Sequence, residues 1–155
     1  MQKITPFLWF DKEAREAAKF YTSIFKDSKI KGTDTLSDTP SGAVDVVGIE
    51  LLGQEFVLMS AGPQFKFNEA ISFVVNCETQ DEVDYYWEKL TSGGGQESMC
   101  GWLKDKFGLS WQIVPTILIK LLQDKDANKS KRVMEAMLQM KKIEIEVLKQ
   151  AHENG

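Results

Sequence analysis

The chain has a single histidine, two cysteines and no surplus of positive charge. Each shortage removes a class of function. His152 stands close to the C-terminus and reads as a solvent-exposed tail residue, so the body of the sequence has no imidazole for acid–base work or metal binding. Cys77 and Cys100 are too few and too unpatterned for a disulfide framework or a zinc site. They read as free, buried thiols in a reducing compartment. The formal net charge of −4 argues against nucleic acid, because phosphate recognition needs a concentrated basic face. The lysine-rich stretches Lys129-Ser-Lys-Arg132 and Lys141-Lys142 read as solvated helix faces. No apolar run approaches the roughly 20 residues of a membrane span, and Met1-Gln-Lys is not followed by the apolar core of a signal peptide. These absences describe a cytoplasmic protein with no nucleic-acid or membrane partner.

What is present is ordinary globular material. A chain of 155 residues, 43% apolar and 27% charged, has the length of one domain and can bury a core. Ile4 to Phe10 reads as a strand, and Asp11, as N-cap, starts a helix in which Ala14, Ala17, Ala18, Tyr21, Ile24 and Phe25 share a face. Ser28 to Asp34 reads as a second strand, followed by a turn-rich, mobile segment over residues 35–42. Val44 to Leu52 and Glu55 to Ser60 form a hairpin around Gly53-Gln54. Ile71 to Cys77 is the next strand. The helix from Thr79 to Thr91 follows, with Val83, Tyr86, Trp87 and Leu90 on one face, and Gly93-Gly-Gly95 ends it. Two more strands lead to Pro115, the second running from Leu109 to Val114. Beyond Thr116, three amphipathic pieces are expected: a short helix, a second over Lys129 to Met140, and a third over residues 143–151.

The order repeats. An offset of about 66 residues lays Phe7 on Phe73, Trp9 on Val75, Ala17 on Val83, Tyr21 on Trp87 and Ile24 on Leu90; about 54 lays the Glu55–Met59 strand on Leu109–Ile113. The fold class is therefore α+β: two βαβββ modules, about 1–62 and 68–115, pair into a curved mixed sheet with helices outside. They make one domain, residues 1–115, and residues 116–155 form a helical extension.

The residues Phe7-Leu-Trp-Phe…Ala14…Ala17…Phe20-Tyr21…Phe25 resemble the start of the vicinal oxygen chelate superfamily, which includes glyoxalase I, ring-cleaving dioxygenases and bleomycin-resistance proteins. Cys100-Gly-Trp…Asp105-Lys-Phe-Gly108…Trp111-Gln-Ile-Val-Pro115 and the tail Lys131-Arg-Val-Met134…Met137…Met140-Lys-Lys-Ile143 resemble its PhnB-like branch. That branch is often labelled 3-demethylubiquinone-9 3-methyltransferase. The resemblance implies a homodimer. Carried over residue by residue, the superfamily's metal ligands fall near Pro6 or Leu8, on Glu50, on Ala70 and on Gln112. Only Glu50 is a good ligand for a catalytic divalent ion, so no metal and no cofactor are expected. Methyl transfer normally requires a glycine-rich turn after a first strand. The glycine cluster here follows a helix, so that activity is not expected either.

Alternation along the strands assigns Phe7, Trp9, Phe73, Val75, Trp111 and Ile113 to helix-covered faces. Leu8, Phe10, Glu50, Phe56, Leu58, Ser72, Ser110, Gln112 and Val114 are then expected to face a concave pocket, joined by Trp102 as a stacking surface. Glu50 is the candidate acid or base; the same carboxylate could instead be hydrogen-bonded to Gln112 or to a backbone amide. Asp105 and Lys106 read as turn residues, and Cys100 has no histidine to activate it. The leading expectation is a metal-free binder of a small, partly aromatic molecule. The alternatives are an isomerase or lyase acting on a carbonyl compound through Glu50, and an interaction module working through its C-terminal helices.

Overall fold

Apolar residues at alternate positions define the first strand, β1 (Phe7–Phe10), whose Leu8 and Phe10 are buried while Phe7 is exposed. In the computed structural model, which describes residues 2–154, β1 opens the first of two compact units, Met1–Phe67 and Asn68–Gly155. Helix α1 (Ala14–Ile24) follows, then β2 (Ser28–Thr39), β3 (Gly42–Leu51) and β4 (Gln54–Ser60). The sheet order is β1-β4-β3-β2, with β1 parallel to β4 and the other neighbours antiparallel. α1 turns Ala14, Ala17, Ala18, Tyr21 and Ile24 into the core, and its three alanines suit close packing on β3 and β4.

Three local expectations change in this unit. The helix begins three residues after Asp11. The Asp11 carbonyl is still held by the Gly62 amide at 3.0 Å, so the chain cannot turn there, and Ser60 Oγ accepts the Ala14 amide at 2.9 Å in place of a sequence-adjacent cap. The segment 35–42 is not a loop: β2 runs to Thr39, paired along β3, and only Pro40-Ser41 turns. Thr39 Oγ1 closes that turn by donating to Gly42 O at 2.6 Å. The β3–β4 turn falls on Leu52-Gly53, both with positive φ (50° and 84°), as a two-residue hairpin of the right twist requires.

The second unit repeats the plan: β5 (Ser72–Cys77), α2 (Gln80–Thr91), β6 (Gln96–Glu97), β7 (Trp102–Lys104) and β8 (Ser110–Pro115), in sheet order β5-β8-β7-β6. Thr79 caps α2 by accepting the Glu82 amide at 3.2 Å. Gly95 terminates it tightly, since a Cβ there would lie 2.7 Å from the carbonyl oxygens of Thr91 and Lys104. Val83, Trp87 and Leu90 of α2 are buried along with Val75, Leu103, Trp111 and Ile113 of the sheet. Asp105, only 3% exposed, accepts from the Phe107 and Leu109 amides (2.9 and 3.1 Å) and from Trp111 Nε1 (2.9 Å), fixing the β7–β8 loop.

The helical extension belongs to this unit. Helices α3 (Thr116–Leu122), α4 (Ala127–Leu138) and α5 (Ile145–Glu153) bury Leu118, Val133, Met140, Ile143 and Leu148 around Val114 of β8. α4 starts two residues earlier than expected because Asp126 caps it, accepting from Asn128 and Lys129. The segment between α4 and α5 is bonded to the module: Met140 O accepts the Cys100 amide (2.7 Å), Lys141 O the Gly101 amide (2.8 Å), and Gln80 bridges Ile143 O and the Ile145 amide. Expected as an exposed tail residue, His152 has a side chain only 19% exposed, with Nε2 lying 2.7 Å from Asp124 Oδ2. Among the described residues, no helix is long and apolar enough to cross a membrane.

One register finding bears directly on the site. The helices correspond as expected, Ala17, Tyr21 and Ile24 matching Val83, Trp87 and Leu90, all buried. In the strands, however, the terminal residues Phe10 and Cys77 correspond, as do Ser60 and Pro115, because Asp11-Lys12-Glu13 is one residue longer than Glu78-Thr79. A one-residue slip inverts every facing assignment on a strand. Leu8, Phe10, Phe56 and Leu58, expected to line a pocket, are therefore core residues, at most 7% exposed. Trp9, expected in the core, is on the opposite, more open face, where it donates to Gly62 O at 2.8 Å and meets Phe65 edge-on at 5.0 Å. In the second unit the expected parity is observed, apart from Val114, which is covered by the extension.

Candidate functional site

The concave feature of interest lies within the second unit, beside β6 and β7. Its volume is about 550 Å³, and it is lined by Glu69, Gln96, Glu97, Ser98, Met99, Cys100, Trp102, Leu103, Lys104 and Ser110. Each wall has a local cause. β7 alternates, so Trp102 and Lys104 share a face, and Lys104 pairs directly with Ser110 on β8. Met99 and Cys100 come from the β6–β7 turn. Trp102 N donates to Met99 O at 3.1 Å, and Cys100 and Gly101 have φ of 60° and 84°, the backbone of a type I′ turn. A Cβ at Gly101 would lie 3.0 Å from Ile113 O and 3.1 Å from Ile143 Cγ1, so the turn sits hard against β8 and the extension.

The charged groups of the cavity are engaged. Glu97 Oε1 accepts Trp87 Nε1 at 2.6 Å. Lys104 Nζ is ion-paired with Glu69, and that ammonium holds the Glu69 carboxyl below its ordinary pKa. Ser110 differs: it is 1% exposed, and its hydroxyl has no hydrogen-bond partner among the described residues. A buried hydroxyl left unpaired costs roughly 1–3 kcal/mol, so this one is primed for a partner. Of the two thiols, Cys100 is at the cavity wall, whereas Cys77 is fully buried and burial pushes it up to about 12.

The residues expected at a site divide accordingly. Trp102 and Ser110 are brought together in the cavity. Ser72 and Gln112 lie on the same face of the sheet and are bonded to each other, Gln112 Nε2 donating to Ser72 Oγ at 2.9 Å, but neither is among the lining residues. Glu50 is in the first unit, paired with Glu55 and on the face opposite Leu8, Phe10, Phe56 and Leu58. Glu55 is ion-paired with Lys31, whose pKa both carboxylates raise, Glu55 most. Lys104, Glu69, Met99 and the stretch Gln96–Ser98 were not anticipated. Lys104 was within reach, since it shares the parity of Trp102; the short β6 behind a glycine run left no periodic signal.

The donor set does not fit a catalytic metal. Ala70 and Leu8 carry no donor atom, Leu8 is core, and among the described residues no group of three or more His, Cys, Asp and Glu side chains is placed to hold an ion.

Two mixed four-stranded sheets built as βαβββ modules define the vicinal oxygen chelate fold, and comparison with known proteins agrees. A fosfomycin resistance protein, FosX, from Listeria monocytogenes shares the fold at 14% identity and a TM-score of 0.60, over 79% of this chain and 98% of that one. A protein of Pseudomonas aeruginosa does so at 21% identity and 0.56, over 74% and 98%. The PhnB protein of Bacillus cereus is more alike, at 35% identity and a TM-score of 0.66, over 74% of this chain and all of that one. The 3-demethylubiquinone-9 3-methyltransferase family, to which the PhnB-like proteins belong, matches residues 2–114, and this chain is a member of it. The expected likeness of the tail is not part of that match, which stops just before α3. No curated protein matches significantly.

Proposed function

We propose that this protein binds a small, partly aromatic molecule in the cavity of its second unit, without the metal chemistry of its superfamily. The observation that carries the reading is the pairing of the Trp102 indole with the buried, unpartnered Ser110 hydroxyl in a space of ligand size. Aromatic lining with a few placed polar groups is the usual make-up of a small-molecule site. The chemistry of the expected ligand positions supports the metal-free part of the reading, since Leu8 and Ala70 carry no donor side chain. The family's name does not extend to methyl transfer in this reading, because Gly93–Gly95 end a helix and are not the strand-to-helix turn that cradles a nucleotide. No catalytic role is assigned to Glu50. It lies in the first unit beside Glu55 and is not among the residues that line the cavity. A cytoplasmic homodimer is the proposed form, supported by family membership and by the two unbridged thiols.

Native mass spectrometry of untagged protein tests the reading, since it reports subunit number, metal and small-molecule adducts together. The expected spectrum is a dimer free of stoichiometric metal that gains an aromatic adduct in wild type and loses it in Trp102→Ala. Stoichiometric zinc, nickel, manganese or iron, removed by a chelator together with the adduct, would overturn it.

A further inference from the structure

We infer that the ligand of this cavity is a planar aromatic carboxylate, an inference that rests on the small-molecule reading above. Lys104 and Ser110 are direct cross-strand partners, so an ammonium and a hydroxyl project side by side from one face of the sheet. Trp102 lies two positions earlier on the same strand and the same face, about 7 Å along it. A ring stacked on the indole therefore carries an attached carboxylate to Lys104 and Ser110. One carboxylate oxygen takes the ammonium; the other accepts the Ser110 hydroxyl, which has no partner at present.

Glu69 supports this assignment. Its carboxylate is paired with Lys104 although its side chain is 60% exposed and comes from the irregular segment ahead of β5. It thus stands in for a ligand carboxylate at the spot where one is recognised, and a ligand displaces it into water at small cost, because exposed ion pairs are weak. The remaining cavity carboxylate, Glu97, is occupied by the Trp87 indole N–H. With Glu69 displaced, Lys104 and Ser110 offer a charged and a neutral donor side by side, and that pair favours an anion, while Gln96 and Ser98 add uncharged polar groups to the wall.

The experiment uses naphthoate and its neutral amide, naphthamide, on the full-length protein. Protection of Cys100 from a thiol reagent is followed by mass spectrometry. Cys77 is silent in this assay, being fully buried with its pKa pushed up to about 12. Naphthoate is expected to bind about tenfold more tightly than naphthamide, as one charge-assisted hydrogen bond allows. Lys104→Met should erase that preference. Glu69→Gln, which removes the competing carboxylate and leaves Lys104 in place, should tighten naphthoate about threefold. Equal protection by both probes, or weaker naphthoate binding in Glu69→Gln, overturns the carboxylate assignment; if Trp102→Ala still abolishes protection, the small-molecule reading survives. Protection of Cys100 by neither probe overturns both.

Discussion

Asp105→Asn is the most direct test of how the hairpin beneath the cavity is built. The aspartate is nearly fully buried and accepts from two loop amides and from the Trp111 indole. An asparagine of the same shape keeps one oxygen for the Phe107 and Leu109 amides but turns an NH2 toward Trp111 Nε1, setting donor against donor. Leaving buried donors unsatisfied costs roughly 1–3 kcal/mol for each group, so the expected loss is about 2–3 kcal/mol. In a domain of this size that lowers Tm by roughly 5–10 °C. Trp111→Phe removes the facing donor and leaves a modest void, costing about 2–3 kcal/mol alone. The double variant should be less destabilised than the sum of the two by at least about 1 kcal/mol, because the clash exists only when both groups are present. Chemical denaturation followed by far-ultraviolet circular dichroism measures all four proteins without relying on the mutated tryptophan. A loss under about 0.5 kcal/mol for Asp105→Asn, or strict additivity, would refute the reasoning.

Two further predictions concern the second unit. Folding favours the protonated form of Cys77, whose thiol is raised from an ordinary 9.0 to about 12. Its contribution is therefore full below pH 9 and is lost as pH rises toward 12, at about 1.4 kcal/mol per pH unit; Cys77→Ala should unfold with a shallower alkaline slope than wild type, and parallel slopes would contradict this. Ile143→Ala, at a fully buried position in the extension's core, should cost about 2–5 kcal/mol, and deletion of residues 116–155 should abolish the cooperative transition of the second unit. A truncated protein with an unchanged melting curve would show the extension to be an appendage.

Much of this architecture was legible because helices and strands report burial through different periods. The spacing of Ala17, Tyr21 and Ile24 and of Val83, Trp87 and Leu90 identifies both helix faces, and a helix tolerates an error of one residue better than a strand does. Although Glu50 on β3 does lie on the face away from the core, the expected parity is inverted on β1 and β4 of the first module, since the extra residue before α1 cannot be seen in an offset fitted to helices. That single residue moved Leu8, Phe10, Phe56 and Leu58 from pocket to core. The second module was read on the right parity, so Trp102 and Ser110 emerged as neighbours in a cavity. Glu69 was illegible because its pairing with Lys104 joins an irregular segment to a strand, with no periodicity to announce it. His152 was misjudged for a similar reason: its partner Asp124 lies between two helices, and proximity to a chain end says nothing about packing.

The bonds from Met140 and Lys141 to the Cys100–Gly101 turn also set an order of events during synthesis. The acceptors are made about 40 residues after the donors, several seconds later at ordinary elongation rates. The first unit, ending at Phe67, needs nothing from that late segment for its own sheet hydrogen bonds. The cavity wall at Met99 and Cys100 does. A nascent chain stalled well beyond Phe67 but before residue 140 therefore carries the whole first unit and an untethered cavity wall, so the cavity takes its final form last, with the final helices.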